Sequence, residues 1–135
     1  MKIKTIEEAV DAVAKDGLSL KKIPQSLLTH EVISLAIKQN GLALEYVPDK
    51  RKTDACCLEA VKQNGLALEY VPKAIKSESI CLVAVVEDGL AIEFVPRILK
   101  NEILCLEAVK QNGLALEFVP KSLKTEAVSY THLRA

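Results

Sequence analysis

The stretch KQNGLALEYVP at residues 62–72 decides the fold, because it recurs unchanged at residues 38–48 and with a single change at residues 110–120. The five glycines and the five prolines of the chain all keep the same spacing of 24 residues. A strict period of this length is typical of solenoids and repeat arrays. We predict one repeat domain over residues 1–135, with an N-terminal cap at 1–17, repeats at 18–41, 42–65, 66–89 and 90–113, and a partial C-terminal repeat at 114–135.

The composition gives the chain no strong overall charge. Lys plus Arg and Asp plus Glu number 18 each, and half of the 135 residues are hydrophobic. Zero net charge provides no general attraction to nucleic acid or to an anionic membrane. The first residues, MKIKTIEE, are charged where a signal peptide would be apolar, and no apolar run approaches the roughly 18 residues of a membrane span. We therefore expect a cytoplasmic protein with no membrane partner.

The longer element of each repeat is predicted to be an α-helix of about eleven residues. A side-chain oxygen that can cap a helix stands five residues after each proline, at Thr29, Thr53, Ser77, Asn101 and Thr125, and Thr5 stands in the same register. The residues that follow place apolar side chains at helical spacing around a column of small residues, Ala36, Ala60, Ala84 and Ala108. The Asn-Gly or Asp-Gly pair that follows is expected to end the helix, with the glycine in the left-handed conformation.

The shorter element, Leu-Ala-Leu-Glu-Tyr-Val, is ambiguous because its apolar residues fit both a strand and a helix. The proline that follows it limits any helix to about one and a half turns. A short α- or 3₁₀-helix followed by a proline turn predicts an all-α fold, a right-handed α-solenoid. A strand would instead predict a leucine-rich-repeat horseshoe, although Glu59 and Glu107 then occupy positions that should be apolar.

The two ends of the chain depart from the pattern. The first helix carries additional charged residues, as a capping repeat requires. The last unit has a cap residue, Thr125, but it places His132 in the alanine column and stops before any glycine. Its ending, VSYTHLRA, looks like translated sequencing-adapter sequence, an interpretation under which the natural array is longer. An incomplete last repeat with an exposed apolar face would favour end-to-end self-association.

The units CLEAVKQNGLALEYVP and CLEAVKQNGLALEFVP resemble an uncharacterised bacterial tandem-repeat family that is known only as a domain of unknown function. The resemblance covers nearly the whole chain and weakens at residues 1–15 and after Thr125. It implies no activity. In layout the units are also similar to leucine-rich variant repeats, which alternate an α-helix with a 3₁₀-helix; this likeness implies a helical solenoid.

No catalytic, cofactor or metal site is predicted. Cys57, Cys81 and Cys105 occupy one position of successive repeats, where stacked helices about 8–10 Å apart are too distant for a disulfide or a shared zinc ion. Buried cysteine acts as a small hydrophobic residue. The only histidines in the sequence are His30 and His132, and neither provides a plausible general base for a catalytic nucleophile.

The candidate binding residues form three charged columns, a column being a set of equivalent positions in successive repeats. The acidic column contains Glu45, Glu69, Glu93 and Glu117; the first basic column contains Lys73, Arg97 and Lys121; and the second basic column contains Lys52, Lys76, Lys100 and Lys124. Acidic and basic columns could form ion pairs, or the two basic columns could form one stripe for an acidic partner. An aromatic column, Tyr46, Tyr70, Phe94 and Phe118, is predicted to be buried to the ring edge rather than to stack on bases.

These features favour a non-enzymatic scaffold that binds an unknown protein partner through its variable and charged columns. The alternatives are a module that binds a polyanion or nucleic acid through the basic stripe, and a spacer within a longer protein.

Overall fold

The computed structural model describes residues 3–124. Residues 125–135 of the predicted partial repeat lie outside the described residues, and they include the predicted cap Thr125, His132 and the VSYTHLRA ending. End-to-end self-association therefore stays a prediction.

Each repeat contributes one α-helix of ten residues. These helices are α1 (Ile6–Lys15), α2 (His30–Gln39), α3 (Asp54–Gln63), α4 (Glu78–Glu87) and α5 (Glu102–Gln111). In each case the predicted cap residue accepts a hydrogen bond from the backbone N–H three positions later, as Ser77 Oγ does from Ile80 at 3.3 Å. The capping residues Thr29, Thr53, Ser77 and Asn101 are therefore confirmed, and Thr5 acts in the same way in α1.

The shorter element is a 3₁₀-helix of six residues. It spans Gly17–Lys22, Gly41–Tyr46, Gly65–Tyr70, Gly89–Phe94 and Gly113–Phe118. A second, three-residue 3₁₀ turn follows the proline in four repeats, at Gln25–Leu27, Asp49–Arg51, Arg97–Leu99 and Lys121–Leu123. Within residues 3–124 the chain forms no β-strand, so the horseshoe alternative is wrong.

The elements stack in two layers. Each α-helix contacts the α-helix of the next repeat, and each six-residue 3₁₀-helix contacts the next 3₁₀-helix. Between the layers lies a continuous core whose columns are fully buried, for example Leu44, Leu68 and Ile92 from the 3₁₀ layer and Ile37, Val61 and Val85 from the α layer. The fold is therefore an all-α repeat solenoid, while its right-handed sense stays a prediction.

The role predicted for the glycines is wrong. None of the described glycines has a positive φ angle. The residue before Gly65, Asn64, leaves the helix in an extended conformation (φ −153°, ψ 110°), which makes the helix one residue shorter than expected. Its side chain instead caps the 3₁₀-helix, accepting a hydrogen bond from Leu66 N at 3.0 Å.

Glycine is required at this position by the next repeat. A Cβ atom on Gly65 would collide with the carbonyl oxygen of Ala84, and Gly17, Gly41 and Gly89 meet Ala36, Ala60 and Ala108 in the same way. The glycine and alanine columns are thus the two sides of one close contact between successive repeats.

No helix within residues 3–124 is both long enough and apolar enough to cross a membrane.

Candidate functional site

The second basic column connects the repeats rather than forming part of an exposed stripe. Lys52 Nζ donates a hydrogen bond to the carbonyl oxygen of Tyr70 at 2.7 Å, and Lys76 Nζ donates to Phe94 at 2.9 Å. Lys100 Nζ donates to Phe118 at 3.1 Å. The Lys52 side chain is only 7% exposed and also lies 3.2 Å from Asp49 Oδ1.

Each of these acceptors is the last carbonyl of the six-residue 3₁₀-helix in the following repeat. Such carbonyls have no partner within their own helix, and a lysine is a suitable donor to them. Burial lowers the pKa of Lys76, as expected for an ammonium group removed from water. These three lysines therefore act as caps across the repeat interface.

The predicted basic stripe is corrected accordingly. Lys73, Arg97, Lys121 and Lys124 are exposed. Lys76 and Lys100 are half-buried, the Lys52 side chain is almost fully buried, and all three donate hydrogen bonds to backbone carbonyls. Three of the four ammonium groups in the second basic column already donate to backbone carbonyls. The two basic columns therefore do not form one exposed stripe. A binding role for the exposed residues stays a prediction.

The acidic column Glu45, Glu69, Glu93 and Glu117 is exposed. The two ion pairs found in residues 3–124 are Lys15–Asp11 and Lys52–Asp49, so the predicted pairing of this column with the first basic column is not formed there. Tyr70 lies close to two of the glutamates. Burial, followed by the charges of Glu45 and Glu69, raises the pKa of its hydroxyl.

The aromatic column is half-buried, and its rings pack against the core. This confirms the prediction that Tyr46, Tyr70, Phe94 and Phe118 are edge-buried rather than presented as a stacking surface.

The four cysteines are free thiols. Cys57, Cys81 and Cys105 are fully buried, and burial raises the pKa of Cys57 to about 11. Cys56 is half-buried, and burial raises its pKa as well. A raised pKa keeps the sulfur in its less reactive protonated form at neutral pH.

An exposed apolar face on α4 and α5 was missed by the sequence analysis. Val86 is 42% exposed and Ile103 is 67% exposed, and Leu82 is also on the surface. Helices α4 and α5 pack together, and Leu82 and Leu106 hold equivalent positions in them. Ile103 precedes Leu106 by one helical turn. A signal was present in the sequence, because Val86 takes a position held by Lys38, Lys62 and Lys110 in other repeats.

A cleft of about 240 Å³ between α2 and α3 was also missed. It brings together His30, Lys38, Arg51 and Cys56, three of which are basic residues that no sequence motif connects. Among residues 3–124, no group of three His, Cys, Asp or Glu side chains is placed to hold a metal ion.

The family model described as a domain of unknown function (DUF4116) matches residues 7–52, 31–76 and 77–124. No curated protein and no solved structure matches the chain.

Proposed function

Because the chain belongs to the tandem-repeat family DUF4116, a domain of unknown function, we propose that it is a non-catalytic scaffold that binds another protein. The observation that supports this function best is the apolar face formed by Leu82, Val86, Ile103 and Leu106 on α4 and α5. Leu82, Val86 and Ile103 are exposed, and Leu106 is half-buried. A group of exposed apolar side chains on neighbouring elements commonly marks a protein interaction site.

The apolar face departs from the repeat at positions where packing does not demand it. Val86 replaces a lysine, and Ile103 stands where α3 and α4 have Ala55 and Ser79, both exposed. Ile98, in the turn five residues before Ile103, is 92% exposed. These apolar side chains therefore contribute little to the core. In the proposed function they pack against the partner.

The charges around this face indicate the chemistry of the partner. Helix α4 has Glu78 and Glu87 and no basic residue, and α5 has Glu102 and Glu107 against Lys110. Lys62 of α3 stands at the position equivalent to Val86, so carboxylates outnumber the basic groups four to two. An amphipathic helix with an aliphatic stripe bordered by Lys or Arg would complement both the apolar and the acidic surface.

We place this scaffold in the cytoplasm of a bacterium. The resemblance to bacterial repeats and the four free thiols support this location, since reduced cysteines are usual in a reducing compartment.

The test compares proteins captured from the bacterial source cell by the wild-type chain and by the double variant Val86→Lys, Ile103→Ser. Both new residues occur at equivalent positions of other repeats, so the fold should be retained. We expect a partner, identified by mass spectrometry, to be lost with the double variant and kept with the control Lys21→Ala, an exposed residue of the first repeat. The captured protein should then bind directly as a purified component, through a basic amphipathic segment.

Three outcomes would contradict the proposal. The same proteins captured by wild type and double variant would exclude this face as the binding surface. Sedimentation velocity showing a dimer that the double variant dissociates would assign the face to a second copy. Salt-sensitive binding of a heparin fragment that is unchanged in the double variant, without a protein partner, would favour the polyanion alternative.

A further inference from the structure

The cleft between α2 and α3 has an apolar lining and a basic rim. Ala55 and Cys56 of α3 supply the accessible apolar surface above the buried Ile33 and Ile37, and His30, Lys38 and Arg51 supply basic groups. Pockets that recognise ligands commonly combine apolar walls with a few convergent polar side chains.

The first cause of the cleft is Arg51. The same position holds Leu27, Ile75, Leu99 and Leu123 in the other repeats, and each of these side chains packs against the core. Arg51 is instead exposed. The apolar contact that these side chains make with the core is therefore absent at position 51.

The second cause is Cys56. Its position is occupied by Val32, Ile80 and Leu104 in three other repeats, all of which are buried. Cysteine is smaller than isoleucine or leucine, and Cys56 remains half-buried at the cleft. Two departures from the repeat thus coincide in space and leave the same volume unfilled.

A third departure changes the charge. His30 stands where α3, α4 and α5 begin with Asp54, Glu78 and Glu102. Lys38 and Arg51 take part in neither of the ion pairs found in residues 3–124. Glu59 is the one carboxylate among the residues that line the cleft, so basic groups predominate there.

The volume limits what can bind. At about 240 Å³ the cleft is smaller than the roughly 300–1,000 Å³ of pockets that enclose drug-sized ligands. It suits one or two aliphatic side chains of an extended peptide. An arginine at the rim is well suited to pair with a carboxylate through two parallel hydrogen bonds.

We infer that the α2–α3 cleft is a binding site for a peptide segment carrying a carboxylate next to an aliphatic side chain, with Arg51 as the anion-binding residue and Ala55 and Cys56 as the apolar contact. This site is separate from the apolar face on α4 and α5 and differs from it in charge. Failure of either proposal therefore leaves the other intact.

The experiment uses fluorescein-labelled tetrapeptides of the form acidic–aliphatic–aliphatic–acidic, covering every combination of Asp or Glu with Leu, Ile or Val. Anisotropy is measured against the full chain at concentrations up to about 1 mM, the weak end of specific recognition. We expect at least one peptide to bind. Amidated and free-acid versions show whether a side-chain or a C-terminal carboxylate is recognised.

Two variants fill the cleft with residues native to other repeats. Arg51→Leu and Cys56→Ile each restore the equivalent side chain, so both should fold at least as stably as the wild type. We expect each to weaken peptide binding by about tenfold or more, whereas Lys62→Ala, a basic residue of α3 that does not line the cleft, changes it by less than about twofold. Bound peptide should also slow alkylation of Cys56.

The inference is overturned if no peptide of the panel binds, or if binding persists in Arg51→Leu. It is also overturned if peptides with Asn and Gln in place of the acids bind equally well, because the arginine would then have no role. Loss of binding in Val86→Lys, Ile103→Ser with retention in Arg51→Leu would move the peptide to the other face.

Discussion

At the scale of single residues, successive repeats are held together by contacts between a few residues of one repeat and the backbone of the next. Lys76 reaches the Phe94 carbonyl and Gly65 meets the Ala84 carbonyl, and both contacts recur along the stack. Neither could be predicted from the residue type, because lysine in a repeat is usually a surface residue and Asn-Gly usually indicates a left-handed turn.

The lysine contact predicts a difference between two lysines only three residues apart. Lys76→Met should lower the free energy of unfolding by about 1–2 kcal/mol, because it leaves the Phe94 carbonyl without its charged donor. Lys73→Met, on an exposed side chain, should change it by less than about 0.5 kcal/mol. Urea denaturation measures both, and equal effects would contradict a structural role for Lys76.

The glycine contact predicts the effect of any side chain at position 65. Gly65→Ala and Gly65→Asn should both destabilise by about 1–3 kcal/mol or more, because each adds a Cβ atom against the Ala84 carbonyl. A left-handed glycine would behave differently, since asparagine tolerates that conformation. Thermal melting in which Gly65→Asn matches the wild type would contradict the steric explanation.

Burial of Cys57 predicts a loss of stability in alkali. Its thiol has a pKa of about 11 in the folded protein against 9.0 when unperturbed. Below pH 9 the thiol is protonated in both states; between about 9 and 11 only the unfolded state releases the proton, so stability falls as pH rises. The urea midpoint of Cys57→Ala should fall less over this range than that of the wild type. Parallel pH profiles would contradict the prediction.

At the scale of elements, local capping and proline placement determine where each helix begins and ends. The sequence predicted the α-helices well because their caps are local: a hydroxyl or amide oxygen three residues before an N–H is visible in the sequence. The six-residue element could not be assigned, because α, 3₁₀ and strand patterns differ little over so short a segment.

The cap of α4 offers a matched pair of serines. Ser77→Ala removes the acceptor for the Ile80 N–H and should cost about 1 kcal/mol. Ser79→Ala lies inside the same helix on an exposed position and should be neutral or slightly stabilising, because alanine is the better helix former. Chemical denaturation measures the free energy of unfolding of both variants. An equal loss of stability in Ser79→Ala and Ser77→Ala would contradict the capping role of Ser77.

At the scale of the whole molecule, stability comes from repeated interfaces between neighbouring units. Every described α-helix contacts its neighbours along the stack, and the buried columns continue from one repeat to the next. Departures from the repeat are therefore informative where they reach the surface, as at Arg51 and Val86.

The stack predicts that one repeat can be removed. Deletion of residues 66–89 joins Gly65 to Leu90 in register and should give a folded helical chain with lower stability and a smaller urea m-value. Deletion of residues 66–77 removes half a repeat and places α4 directly after Gly65, which should abolish cooperative unfolding. Circular dichroism during urea titration tests both, and equal behaviour of the two deletions would contradict the repeat model.

The sequence alone determined the period, the capped α-helices, the apolar columns and the zero net charge. These features depend on residue type and on neighbours within a few positions. Tertiary structure decided the 3₁₀ conformation, the steric role of glycine and the position of the cleft. It also decided which carbonyls accept hydrogen bonds from Lys52, Lys76 and Lys100. These depend on atoms 18 to 24 residues away, as in the contact between Lys52 and Tyr70. Such distances become short only when one repeat stacks on the next.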